Sequence, residues 1–212
     1  MNKKVLFLAS LAAGGYYLAK KNTQARFDQY DGSNQTVLIT GASSGIGQEL
    51  AFIFARHHFN IVAVARNEDK LKALKDELEN SYGVEVTTIV KDLAKESAAK
   101  EIYEEVREKG IVINQLVNNA GAGKHGTVAE ADPETMLSLI HLNVSSVTLL
   151  CHYFAKDMVE RGTGRIMNVS SLGAFIPDPY FNVDGPTKAY EMSLTEIMYG
   201  ELKDTGVSVT AL

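Results

Sequence analysis

TVLITGASSGIGQELAFIFAR, residues 36–56, decides the fold. A short apolar, β-rich run, Thr36 to Thr40, meets a glycine-rich turn, and the turn opens into apolar residues at helical spacing. Strand, tight loop and helix in that order form the first half of a βαβ crossover unit. Within TGASSGIG, Gly41 permits the tight turn, Gly45 lets an anionic group approach the backbone, and Gly47 allows close packing of helix on strand. The N–H groups freed at the helix start, with the helix dipole behind them, then face an anion. The strand–loop–helix context favours the phosphates of a dinucleotide over a plain tight turn.

The same rhythm continues outward from this unit. Further β-rich runs occupy 60–65, 84–90, 114–118, 164–170 and 206–212. Charged amphipathic stretches such as NEDKLKALKDELENSYG and LAKESAAKEIYEEVREKG separate the first of them. Two long helical stretches are predicted at about 133–160 and 184–203. Strands alternating with helices imply parallel strands joined by right-handed crossovers, hence an α/β, Rossmann-type doubly wound sheet. The nearly unbroken apolar strand runs predict burial on both sheet faces. No internal boundary divides residues 36–212.

The chain has 212 residues, which suits one domain with a sizeable core, and a net charge of −5, which gives no broad basic surface for nucleic acid. The single cysteine, Cys151, lies in the apolar run VTLLCHYF and reads as a core thiol. His57 and His58 read as exposed polar residues near a helix end, and no His/Cys cluster has metal-ligand spacing. Residues 1–21 are apolar or small between Lys3-Lys4 and Lys20-Lys21. Fifteen helical residues reach only ~22 Å, short of a ~30 Å hydrocarbon core. A signal peptide and an uncleaved anchor both fit, and the anchor is favoured, with the domain in the cytoplasm. Soluble cytoplasmic and secreted placements stay open. Residues 22–35 (NTQARFDQYDGSNQ) read as a polar linker.

The second strand ends Val64-Ala65-Arg66-Asn67, with no acid to accept from a ribose 2′-hydroxyl and with an Arg suited to a 2′-phosphate. NADP(H) is therefore favoured over NAD(H).

Taken together, these motifs resemble the short-chain dehydrogenase/reductase family of the classical type, over about 36–212. TGASSGIG resembles its cofactor loop, which implies cofactor contacts from Gly41, Ser43, Ser44, Gly45, Ile46 and Gly47. Asp92-Leu93 resembles its adenine-contacting pair, and Asn118-Asn119-Ala120-Gly121 its NNAG motif, with Asn119, Ala120 and Gly121 at the cofactor. Asn143 matches the helix Asn of its catalytic tetrad, Asn168-Val169-Ser170-Ser171 the strand that carries its Ser, and Lys188 its Lys. The resemblance implies hydride transfer between nicotinamide and a carbonyl or alcohol carbon. In that scheme the Ser holds the substrate oxygen, a Tyr passes the proton, the Lys acidifies the phenol and bonds the nicotinamide ribose, and the Asn holds a relay water. The family's Ser lies thirteen residues before its Tyr, which selects Ser171 over Ser170. Family members pair through the two long helices, which implies a homodimer or tetramer.

One position departs. Four residues before Lys188, where the family has Tyr, stands Asp184. Asp is shorter, and with Lys188 one turn away to stabilise its charge it is a carboxylate that accepts protons rather than giving them. In DGPTK it also reads as a helix N-cap accepting from the Thr187 N–H. Tyr180, in the preceding loop, and Tyr190, on another helix face, are the nearby phenols. The final VSVTAL stops where the family usually continues with a lid and a last strand, so an exposed sheet edge beside 207–212 is expected. Three readings follow: an oxidoreductase acting on a small carbonyl or alcohol substrate, a non-catalytic NADP(H)-binding protein, or an inactive truncated relative.

Overall fold

The computed structural model describes residues 31–212. The expected N-terminal segment 1–21 and most of the expected linker lie outside the described residues. The described end of that linker does not behave as one: Gly32 is buried, its N–H donates to the His57 carbonyl at 2.7 Å, and the Phe59 ring covers it so closely that a Cβ there would overlap the ring.

Six parallel strands form one sheet: β1 (Thr36–Thr40), β2 (Asn60–Ala65), β3 (Val86–Val90), β4 (Gln115–Asn118), β5 (Gly164–Asn168) and β6 (Val207–Ala211). Their spatial order is β3-β2-β1-β4-β5-β6, and the order reverses between β1 and β4. A crevice opens there beyond the carboxyl ends of the strands, where doubly wound sheets take their ligands. The helices are α1 (Gly45–Arg56), α2 (Glu68–Tyr82), α3 (Ala98–Glu108), α4 (Pro133–Ile140), α5 (Ser146–Arg161) and α6 (Asp184–Leu202). The sheet divides the core by strand alternation. Val37 and Ile39 pack with Ala51, Phe59, Leu71 and Leu74 under α1 and α2. Leu38 packs with Ile102, Leu116, Leu150, Phe154 and Met158 under α3 and α5.

Burial on both faces holds for β1 and β2 and fails at the other end of the sheet. In β5 and β6, Ile166, Val207 and Val209 are buried, whereas Arg165, Ser208 and Thr210 are exposed. Because α1 and α2 cover β1–β3, this face of β5–β6 carries polar side chains instead.

The stretch expected as one helix at 133–160 is two helices around a π-turn, His141–Ser145. Its start is clear in the sequence: Asp132 accepts from Thr135 N at 2.9 Å, with Pro133 in the first turn. Across the turn, the Ser146 hydroxyl donates to the Leu142 carbonyl and the Thr148 hydroxyl to the Val144 carbonyl. Taken together, 133–161 is long and apolar enough to cross a membrane, but Val147, Leu150, Cys151, Phe154 and Met158 of it lie in the sheet's core.

Candidate active site

The crevice is a cleft of about 450 Å³ beyond β1, β2, β3 and β4. Of the expected cofactor residues, Gly41, Ser43, Ser44, Ile46, Arg66, Asp92, Leu93, Asn119, Ala120 and Gly121 line it. Gly45, at φ +57° with open space where a Cβ would stand, and Gly47 do not line it. Gly41 stands at φ +68°, where a Cβ would lie 2.8 Å from the Asn119 amide nitrogen. A Cβ on Gly47 would overlap that same nitrogen and the Gly41 carbonyl. The close approach expected of helix on strand is therefore an approach of helix to loop and to Asn119.

Two side chains that sequence reading passed over or half-used hold this junction. The Thr40 hydroxyl accepts from the N–H of Asn119 at 2.9 Å and of Ala120 at 3.0 Å. The Asn119 amide donates back to the Thr40 carbonyl at 2.9 Å. No side chain caps α1, whose N-cap residue Ser44 is extended, so its first N–H groups are available to an anion in the cleft. Arg66, Lys70 and Lys91, which follow β2 and β3, also line the cleft, with Lys91 paired to Glu101 at 2.8 Å. Asn67 caps α2 by accepting from Lys70 N at 2.9 Å. Uncapped donors, open space at Gly45 and the basic side chains of Arg66 and Lys70 together fit a phosphorylated dinucleotide.

Asn143 sits in the π-turn and is fully buried. Its carbonyl accepts from Ala122 N at 3.1 Å, and its amide donates to the Ala122 carbonyl at 2.9 Å and the Thr187 hydroxyl at 3.0 Å. It thus ties the loop after β4 to the first turn of α6. Ser170 and Ser171 point apart, as adjacent extended residues must. The Ser170 hydroxyl donates to the Lys188 carbonyl at 3.1 Å, whereas Ser171 is exposed and accepts from Gly173 N at 3.1 Å. A Cβ on Gly173 would lie 3.5 Å from the Ser171 hydroxyl and 3.7 Å from Gly185 Cα, which places Ser171 beside the start of α6.

Lys188 is buried, with Nζ behind Gly121, a residue that lines the cleft: a Cβ on Gly121 would lie 3.2 Å from it. Nζ donates to the Val169 carbonyl at 2.8 Å and to both carboxylate oxygens of Glu191, at 2.8 and 3.1 Å. Glu191 is 2% exposed. Burial pushes its carboxyl up to about 7, against the pull of Lys188, and the nearby Asp184 adds to the rise.

Asp184 differs from expectation on two counts. It does not cap α6: it is the first helical residue, the cap position is Val183, and Thr187 N bonds the Val183 carbonyl at 3.0 Å. The turn starts one residue earlier because backbone and Thr187 hydroxyl bonds close it, the hydroxyl donating to the Asp184 carbonyl at 2.8 Å. Lys188 does not pair with Asp184 either, because among the described residues its ion pair is with Glu191. The Asp184 carboxylate is half-buried and instead faces Gly123, where a Cβ would lie 3.1 Å from Oδ1. Tyr180 stands at φ +76° in the loop, stacked on His125 with ring centroids 5.3 Å apart. The Tyr190 hydroxyl meets Thr148 at 2.9 Å on another side of α6. Cys151 is buried, contacts the Asn118 amide at 3.2 Å, and has its thiol pushed up to about 12 by burial.

The sequence profile described as short chain dehydrogenase matches residues 35–212. The chain belongs to the short chain dehydrogenase family. It is 34% identical over 185 residues to human 17-beta-hydroxysteroid dehydrogenase type 3, covering 84% of this chain and 57% of that protein. It is 30% identical over 182 residues to rat very-long-chain 3-oxoacyl-CoA reductase, covering 82% and 57%. The chain thus spans somewhat more than half the length of these curated relatives. Among solved structures of short chain dehydrogenases, one from Sphingobium yanoikuyae in complex with NADPH superposes with a TM-score of 0.79 at 37% identity, covering 84% of this chain and 69% of that one.

Proposed function

We propose that the cleft binds NADP(H) and that the chain is built for oxidoreductase chemistry between that cofactor and a carbonyl or alcohol substrate with a large apolar body. The observation that carries the reading is the conjunction at the sheet's switch point. The uncapped start of α1, the Gly41 turn and the basic Arg66 share one cleft, with Lys188 Nζ behind its Gly121. NADP(H) is preferred to NAD(H) because Arg66 and Lys70 line the cleft where a 2′-phosphate is read and no acid follows β2. The solved relative's NADPH complex supports the same choice. An apolar substrate body is supported by Leu172, Phe175 and Ile176, exposed on the segment that follows Ser171, and by relatives named for hydroxysteroids and 3-oxoacyl-CoA.

When bound, the cofactor supplies or accepts the hydride. The chain's own residues would do the rest. Lys188 would donate to the nicotinamide ribose, Ser171 would hold the substrate oxygen, and Asn143 would fix the loop and the first turn of α6 around them. Asp184 breaks the set. Its side chain is shorter than a phenol's and faces Gly123, so no phenol stands one turn before Lys188 to pass a proton to a ketone. This favours a second reading, a nucleotide-binding protein with little or no turnover. Membrane association through residues 1–21 and pairing through the helical stretches 133–160 and 184–203 complete the proposal.

Asp184→Tyr tests it. If the phenol is the missing part, NADPH-dependent reduction of bulky ketones should appear or rise by about a hundredfold or more, the usual contribution of a positioned acid. A variant that binds NADPH and stays inert on such a panel would favour the nucleotide-binding reading.

A further inference from the structure

Glu191 is a buried acid that the proposed chemistry does not use. It projects from α6 one turn beyond Lys188 and grips the ammonium with both oxygens, at 2.8 and 3.1 Å. Its surroundings are a continuous polar seam. The Thr195 hydroxyl donates to the Glu191 backbone carbonyl at 2.7 Å and accepts from the Asn168 amide at 2.9 Å. The Asn168 carbonyl accepts from the Asn118 amide at 2.9 Å. The titratable groups that face the Glu191 carboxylate are Lys188 and Asp184 from its own helix and the Cys151 thiol from α5. A buried ion pair of this kind costs desolvation that its attraction barely repays, so stability alone is a weak reason for it.

We propose that Glu191 is a positioning residue for Lys188, holding the ammonium behind Gly121 of the cleft and setting the charge it presents to the nucleotide. This rests on the reading that the cleft binds NADP(H). With Glu191 ionised, the pair is neutral, and Lys188 faces the cleft as a directed donor with no net charge behind it. With Glu191 protonated, the pair carries one positive charge. That change falls near neutral pH, because burial raises the carboxyl to about 7. Nζ also donates to the Val169 carbonyl at 2.8 Å, so this carbonyl and Glu191 hold the amine between them beside Gly121.

The test is an NADPH fluorescence titration of the full chain, the Glu191→Gln variant and the Glu191→Asp variant at pH values from 5.5 to 8.5. Affinity is read as the ratio of variant to wild type at each pH, which cancels titration of the nucleotide's own phosphate. The wild type should lose roughly threefold to tenfold in affinity on crossing pH 7 relative to Glu191→Gln, which keeps its charge constant. Glu191→Asp keeps a titrating group but withdraws it from Lys188, so it should keep a pH step and bind more weakly throughout. A merely structural role would lower affinity in Glu191→Gln by the same factor at every pH, and a flat ratio overturns the inference while NADPH binding itself stands. A folded wild-type chain that binds no NADPH at any pH overturns both this inference and the nucleotide-binding reading beneath it.

Discussion

Lys188 has two carboxylates within reach of its helix turn and chooses the one that faces inward. Asp184 precedes it by four residues and Glu191 follows it by three, so both share its side of α6. The ion pair goes to Glu191, where water is excluded and the ammonium is most needed. The sequence held the signal, an acid at helical spacing from a lysine on a face that otherwise carries Thr187, Thr195 and Met198 inward. It was hidden because an acid three residues from a lysine is also the pattern of a solvent-exposed helix pair. The choice has a thermodynamic consequence. Glu191 holds its proton more tightly in the folded chain, at about 7, than at its ordinary 4.5. Its contribution to stability is therefore complete below about pH 4.5 and is lost as pH rises through about 7. Glu191→Gln lacks this dependence. The variant's unfolding free energy relative to wild type should rise between those pH values by on the order of 3 kcal/mol, measured by urea denaturation. A difference that is flat across the window would contradict the burial argument.

At the scale of elements, the site depends on how β1 and β4 end together. Thr40 is the last residue of β1, and its hydroxyl satisfies two backbone N–H groups of the loop after β4. Those bonds bring Asn119 over Gly41 and close the floor of the cleft. Thr40→Val keeps the shape and removes the acceptor, leaving two donors without it. It should cost about 1–3 kcal/mol of stability in a urea melt and weaken nucleotide binding besides. A loss within a few tenths of a kcal/mol would mean that the two strand ends are held elsewhere. The π-turn between α4 and α5 works the same way, since its wider turn carries buried Asn143 and so links the loop after β4 to α6. Sequence periodicity placed helix through 133–160 because apolar spacing continues across the turn. A one-residue change in hydrogen bonding leaves that spacing nearly intact.

At the scale of the whole molecule, the order of strands and helices was legible because strands buried in a parallel sheet differ in length and composition from the helices that cover them. The glycine loop, Arg66, Asp92, Asn119 and Gly121 converge on one cleft as their positions after successive strands required. What the sequence could not supply was orientation: which oxygen Lys188 would meet, that Asp184 would turn toward Gly123, and that the outer face of β5 and β6 would carry polar side chains. These depend on contacts between segments far apart in the chain, and local spacing does not encode them. We propose above all that this sheet, with its cleft at the β1–β4 crossover, is a competent NADP(H) site. The chain has no Trp, which leaves the nicotinamide's own fluorescence as a clean probe. The decisive experiment is to titrate the full chain with NADPH and, in parallel, with NADH. Saturable NADPH binding in the micromolar range and weaker NADH binding are expected. A folded chain that binds neither, or NADH as tightly as NADPH, would contradict the proposal.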